Sequence, residues 1–173
     1  MLKTDGPLTV DRLKEVARYD PETGAFTRIK KTGTKTRVGQ RMDLVNPRWL
    51  YRTVEIDGRK YRAHRLAWLY MTGDWPSEEI DHINRAPGDN RFCNLREANR
   101  SQNTANGGPR RNNKSGYRGV TWHKPLKCWR AQIETGGKGY HLGYFDDPED
   151  AHEAYLSAAK FLFGEFAPAK AAA

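Results

Sequence analysis

The sequence predicts an α+β chain of two small units, each built from short antiparallel strands with a helix packed against them. Three observations carry this expectation. Short strand-like runs are separated by Gly, Pro, Asn and Asp. Helical periodicity is confined to brief stretches. Residues 107–115, Gly-Gly-Pro-Arg-Arg-Asn-Asn-Lys-Ser, have turn formers and charge but no apolar period, so they read as a linker.

Residues 9–19 read as an amphipathic helix, with Thr9 as N-cap and Leu13, Val16 and Ala17 on one face. Asp20-Pro21-Glu22-Thr23-Gly24 is a turn that ends it. A strand over 25–29 and a basic, Gly/Thr-rich loop over 30–40 follow. The next strand runs through Tyr51, Val54 and Ile56. Asp57-Gly58 is its hairpin turn, since both central positions need positive φ. Residues 59–63 return as a strand, and 64–72 form a helix ended by Gly73, with Leu66, Leu69 and Tyr70 on its apolar side. Residues 80–83 are strand-like, 84–90 a polar loop, and 95–98 a strand that pairs back. Asn99 then caps a helix over 100–106. After the linker, 117–122 is a strand. Trp129, Ala131 and Ile133 alternate with Arg130, Gln132 and Glu134 in a second. Residues 136–139 turn the chain into a third strand over 140–145. Asp147 caps a helix with Pro148 at its first position and Gly164 at its end. Ala151, Ala154, Tyr155, Ala158, Ala159 and Leu162 share one face of that helix. The Ala-rich tail past Phe166 reads as disordered.

The chemistry-bearing constellation is Asp81-His82, with Asn94 twelve residues past the histidine and Asn103 nine further on. A carboxylate and a carboxamide are hard oxygen donors suited to Mg²⁺ or Mn²⁺, and a histidine beside the metal can take a proton from water. The bland alternatives are a buried strand histidine at His82, a surface charge or turn cap at Asp81, and a helix-surface residue at Asn103. Asn94 reads as fixing its loop by bonding backbone groups, with Asp89 and Asn90 as further loop caps. His64 reads as a helix-start or core histidine, and His152 as a surface residue. Arg85, Arg91, Arg96 and Arg100 read either as phosphate holders or as solvated charges.

The chain has 173 residues, a net charge of +9 and a pI of about 9.7, which suits a nucleic-acid partner. Trp49, Tyr51, Tyr61, Tyr117, Trp122 and Trp129 sit among basic residues, as an aromatic-supported surface facing phosphates needs. The two cysteines, Cys93 and Cys128, lie far apart in sequence; they exclude a four-cysteine zinc site and argue against a disulfide framework, and reduced thiols fit a cytosolic protein. No apolar run is long enough to span a membrane, and residues 1–6 lack the apolar core of a signal peptide.

His64-Arg65-Leu66, Ile80-Asp81-His82-Ile83-Asn84, Asp89-Asn90-Arg91, Asn94-Leu95-Arg96-Glu97 and Ser101-Gln102-Asn103 together resemble the HNH endonucleases of phages and mobile introns, over about the central third of the chain. The resemblance implies a ββα-metal (His-Me finger) nuclease core over 61–106, behind an N-terminal helix and β-rich extension over 1–60. It selects Asn103, rather than Asn99 or Asn106, as the ligand that joins Asp81 on one Mg²⁺ or Mn²⁺, without structural zinc. His82 is then the general base, and Asn94 belongs to the catalytic group. Arg85 stands where that family usually has a small residue.

Tyr117-Arg118-Gly119-Val120, Trp129-Arg130-Ala131-Gln132-Ile133, Leu142-Gly143-Tyr144-Phe145-Asp146 and Ala151-His152-Glu153-Ala154-Tyr155 resemble the Apetala/ethylene-response-factor DNA-binding domain, across nearly all of 116–164. That implies a three-stranded antiparallel sheet plus one helix over 116–166, after the basic linker 107–115 and before a tail over 167–173. In that family the sheet lies in the major groove. The implied DNA-facing positions are Arg118, Thr121, His123, Arg130, Gln132 and His141. Thr121, His123 and Glu134 stand where plant members carry arginine, so the plant target sequence is not implied.

The expected function is a metal-dependent, site-specific endonuclease of homing type, acting on double-stranded DNA in the cytoplasm of a bacterial or phage-infected cell. No membrane partner is expected. No clear dimer helix is visible, and the oligomeric state is left open, a monomer being one possibility. The rivals are a DNA-binding regulator that keeps the fold without cutting, and a ribonuclease or structure-specific nuclease.

Overall fold

The structure, a computed structural model, describes residues 8–45, 50–109 and 112–168. Residues 1–6, Trp49, Arg110, Arg111 and the end of the Ala-rich tail, all weighed above, lie outside the described residues. The chain divides into two compact units, 1–97 and 98–173.

In the first unit, helix α1 (Val10–Val16) is capped by Thr9, whose hydroxyl accepts from the Arg12 N–H at 3.2 Å. It is shorter than its periodicity predicts, because residues 17–20 form a strand. In β1 (Ala17–Asp20), Ala17 and Tyr19 are buried while Arg18 is exposed, a period of two. Strand β2 (Ala25–Arg28) pairs with it antiparallel, Tyr19 opposite Phe26, with the two rings 4.9 Å apart. Pairing and ring packing override helix propensity here. The turn at 20–24 therefore joins a hairpin.

Strands β3 (Leu44–Val45), β4 (Arg52–Ile56) and β5 (Arg59–Arg62) form an antiparallel sheet in that order. Asp57 (φ 49°) and Gly58 (φ 75°) make the β4–β5 turn, as their sequence implies. Strand β3 was not expected: both its residues are exposed, so no apolar alternation marks it. Helix α2 (Ala63–Thr72) ends at Gly73, in the left-handed region with φ 92°. Leu13, Val16, Phe26, Val54, Leu66 and Leu69 belong to one buried cluster. Each contributes roughly 1.5–3 kcal/mol on leaving water. Against this core lies a two-stranded ribbon, β6 (Glu79–His82) and β7 (Leu95–Ala98), joined by a long loop that ends in a 3-10 turn over Phe92–Asn94.

In the second unit, helix α3 (Arg100–Asn106) starts with a reciprocal cap. The Asn99 side chain accepts from the Gln102 N–H, and the Gln102 side chain accepts from the Asn99 N–H. The end of the linker is tied down rather than free: Asn113 Oδ1 accepts from the Gly116 N–H, and the Ser115 hydroxyl bonds the Val120 carbonyl. Strands β8 (Val120–His123), β9 (Cys128–Thr135) and β10 (Lys138–Phe145) form an antiparallel sheet with β9 in the centre. Strand β8 starts later than expected, because Gly119 turns the chain with φ 75°. Helix α4 (Pro148–Phe163) is capped by Asp147 and packs on the sheet. Val120, Ala131 and Ile133 meet Ala151, Tyr155 and Ala159 there. Leu162, expected on that face, is 40% exposed, and Phe163 packs instead. The i+4 ridge from Ala151 through Tyr155 and Ala159 leads to position 163.

Candidate functional site

Asp81 and His82 close β6, and both side chains are buried. Asp81 Oδ2 accepts from Arg96 Nη2 at 2.8 Å and Nε at 3.0 Å, across the ribbon on β7. The pair is shielded from water, so each charge depends on its partner: breaking such a pair costs about 3–5 kcal/mol.

His82 Nε2 lies 3.1 Å from the side-chain oxygen of Asn90, which is itself fully buried. The His64 ring meets the His82 ring edge to face at 5.0 Å, and Tyr51 lies 5.5 Å from His64 and 6.1 Å from His82. Burial pushes the His64 pKa well below its ordinary value, and the nearby His82 adds to this. Burial also lowers His82, partly opposed by the Asn90 bond. Both rings are therefore neutral at neutral pH, and His82 is ready to accept a proton.

The loop between β6 and β7 is held by its own side chains. Asn94 Oδ1 accepts from the Asn84 N–H at 2.9 Å, and Asn94 Nδ2 donates to Asn84 Oδ1 at 3.0 Å and to the Asp89 carbonyl at 2.9 Å. Asp89 also binds Asn84 Nδ2 and, as a fork, Arg91. The Arg91 guanidinium leads the influences that bring the Asp89 pKa down to about 2. Arg85 and Arg100 are exposed. Arg85 sits at φ 61°, a conformation that favours glycine, which gives a physical reason for a small residue there. Asn103 is carried by α3 in the second unit, half-buried, with its N–H on the Asn99 carbonyl.

The sheet of the second unit places five of the six expected DNA-facing residues on one face. Register sets Thr121 opposite Arg130 and His141 opposite Gln132, with His123 two residues along from Thr121. Arg118 is the exception. It precedes β8, and its guanidinium donates to the Gly107 carbonyl. Tyr144 joins the face opposite Arg130, with its ring 4.5 Å from His141 and 5.0 Å from His123. A bulge between His141 and Gly143 brings it there. Plain alternation from His141 would turn Tyr144 inward.

Comparison with known proteins agrees with this two-part architecture. Residues 61–105 match the model of an HNH endonuclease and residues 115–165 that of an AP2 domain. Protein 3.8 of Escherichia phage T7 is 31% identical over 107 residues, 61% of this chain and 88% of the phage protein. The chain belongs to the family of this phage protein. Behind its HNH domain it carries an AP2 domain. No solved structure matches it. The two domains point to action on DNA, and no helix among the described residues is long and apolar enough to cross a membrane.

Sequence reasoning undervalued several groups around the HNH site. Asn90, which reads in sequence as a loop cap, His64, a helix-start or core histidine, and Arg96, a phosphate holder or solvated charge, are partners of His82 and Asp81. The available signal was Arg96 itself, one position past Leu95 on the strand that pairs with Asp81. HNH enzymes usually use a divalent metal. Among the described residues no group of three His, Cys, Asp or Glu could hold one. Asp81 and a carboxamide are hard oxygen donors, and Mg²⁺ and Mn²⁺ complete such sparse sets with water and phosphate, so the donor chemistry fits.

Proposed function

We propose that the chain is a metal-dependent, site-specific DNA endonuclease of homing type. The observation that carries this reading is a buried, neutral His82, bonded through one ring nitrogen and adjacent to a buried carboxylate, inside the HNH match. His82 is the general base: it takes a proton from a water set in line with the scissile phosphorus. The P–O bond to the 3′ oxygen breaks, leaving 5′-phosphate and 3′-hydroxyl ends. Asp81 and Asn103 would hold one Mg²⁺ or Mn²⁺, which supplies positive charge for the phosphate. Asn94 keeps the loop that carries Asn90 closed on itself. Arg96, which donates to Asp81 Oδ2, would stand as a fixed cation beside the carboxylate that holds the metal.

In this reading the AP2 sheet supplies specificity on double-stranded DNA through Thr121, His123, Arg130, Gln132 and His141, with Tyr144 added and Arg118 a loop brace. Base contacts of this kind are worth roughly 1–3 kcal/mol each. The protein would act in a bacterial or phage-infected cell.

Cleavage of supercoiled plasmid or phage DNA with Mg²⁺ or Mn²⁺, in wild type and His82→Ala, tests this. Metal-dependent cutting that EDTA and the substitution both abolish, with gel-shift binding intact, is the expected result. Undiminished cutting by His82→Ala removes histidine from the chemistry. A wild type that shifts DNA but never cuts phage genomic DNA leaves the binding-only regulator.

A further inference from the structure

The N-terminal hairpin lies outside the residues matched by the HNH model, which begin at 61. It nonetheless grips the loop that carries Asn90. The buried Tyr19 hydroxyl donates to the Asn90 carbonyl at 2.6 Å. The Phe92 N–H donates to the Pro21 carbonyl at 3.0 Å. Arg52 of β4 donates through Nε to the Gly88 carbonyl at 3.1 Å. Gly24, at φ 70°, lies so close that a Cβ there would meet the Asn90 carbonyl carbon at 2.5 Å and the Arg91 nitrogen at 2.6 Å. Three hydrogen bonds and one contact open only to glycine therefore set the main chain on both sides of Asn90.

What that placement fixes is the side chain. Asn90 Oδ1 faces His82 Nε2 at 3.1 Å, and the Asn90 amide nitrogen is buried with no hydrogen-bond partner among the described residues. A carboxamide oxygen only accepts, so His82 must donate through Nε2–H. In a neutral imidazole the other nitrogen, Nδ1, then carries the lone pair.

We propose that the N-terminal hairpin is part of the active site: Tyr19 and Gly24 hold Asn90, and Asn90 holds His82 in the Nε2–H tautomer with Nδ1 as the proton acceptor. Asn90, Tyr19 and Gly24 are positioning residues, acting through His82. The inference rests on His82 being the base of a nuclease. The tautomer it assigns is observable without any cutting.

The test uses the metal-free full chain with ¹⁵N-labelled histidine, read by long-range ¹H–¹⁵N correlation at alkaline pH. His82→Gln identifies the His82 signals among the five histidines. In the wild type His82 shows a protonated Nε2 and a bare Nδ1. Asn90→Asp keeps an acceptor and keeps this pattern. Asn90→Leu, Gly24→Ala and Tyr19→Phe shift His82 toward a mixture of tautomers. In the cleavage assay, the same three variants lose kcat by roughly 10–100-fold, the range seen when a group that orients a working histidine is removed. Their DNA affinity stays near wild type. Tyr19→Phe preserves volume and decides the matter if Gly24→Ala does not fold. An Nδ1–H tautomer in the wild type overturns the proposal, as do unchanged tautomer and kcat in Tyr19→Phe and Asn90→Leu. If the wild type cuts no DNA, the nuclease reading falls, while the tautomer still decides the positioning role.

Discussion

His64 is the residue whose burial has the clearest thermodynamic consequence. It starts α2 inside the core, its Nδ1 has no hydrogen-bond partner among the described residues, and burial holds its pKa well below the ordinary 6.5. The unfolded chain then binds the proton more readily than the folded one. Stability is complete above about pH 6.5 and falls as pH drops from there toward the folded value. His82, shifted in the same direction by the same cause, adds to the slope. We expect the melting temperature of the first unit to be lower at about pH 5.5 than at about pH 7.5. His64→Phe, which keeps a ring against His82, should shrink that difference; an equally steep slope in the variant would assign the acid sensitivity elsewhere. Asp89 runs the other way. Its pKa of about 2 stabilises the loop above the ordinary carboxylate value, and the contribution is lost only in stronger acid, as pH falls toward 2. At this scale the strand that carries Asp81 and His82 was legible, because the two are adjacent in the strand-like run over 80–83. Asn90 was not legible as a partner of His82, because its position depends on Tyr19, 71 residues earlier.

Elements were read correctly where a local device ends them. Gly73 stops α2, Asp57-Gly58 turns β4 into β5, and Asp147 with Pro148 starts α4. They were misread where partners decide. Residues 17–20 continue the apolar period of α1, yet opposite β2 they are worth more as a strand, since Tyr19 gains Phe26 and Tyr70 as ring neighbours. In the second unit, Gly119 shows how tightly one element is seated on another. At φ 75°, its missing Cβ would lie 2.1 Å from the Tyr155 ring of α4 and 2.8 Å from the Gln132 carbonyl of β9. Gly119→Ala combines left-handed strain with overpacking, and should cost about 3 kcal/mol. Urea denaturation followed by Trp122 and Trp129 fluorescence measures it. A loss below about 1 kcal/mol would mean that α4 can slide away from the sheet.

Across the whole molecule, a net charge of +9 is spread over both units: Lys31, Lys35 and Arg37 are exposed in the first, Lys114, Lys124 and Lys138 in the second. A DNA complex that engages such surfaces releases counterions from many phosphates. Binding by the full chain should weaken by roughly 10³-fold or more between about 50 and 200 mM salt, with log Kd linear in log salt. Gel shifts across a salt series measure the slope. A nearly flat dependence would show that few phosphates are contacted and that recognition rests on the sheet face alone. The order of the two domains was visible in the sequence because each carries its own motif. The bracing of the HNH loop by the N-terminal hairpin was not, since hydrogen bonds such as Phe92 to Pro21 leave no periodic trace.

The bulge between His141 and Gly143 makes the reading surface of the AP2 sheet a matter of parity. Because side chains alternate, one extra residue inverts everything beyond it. Flattening the bulge with Leu142 kept would leave the composition unchanged, yet would send Tyr144 into the core and present Phe145 to solvent, whereas deleting Leu142 along with the bulge would keep Tyr144 opposite Arg130. Gain or loss of that bulge around an unchanged sequence length is thus a switch of address rather than a gradual adjustment. A lineage can exchange one outward row of side chains for another in a single step, without altering any residue in the row.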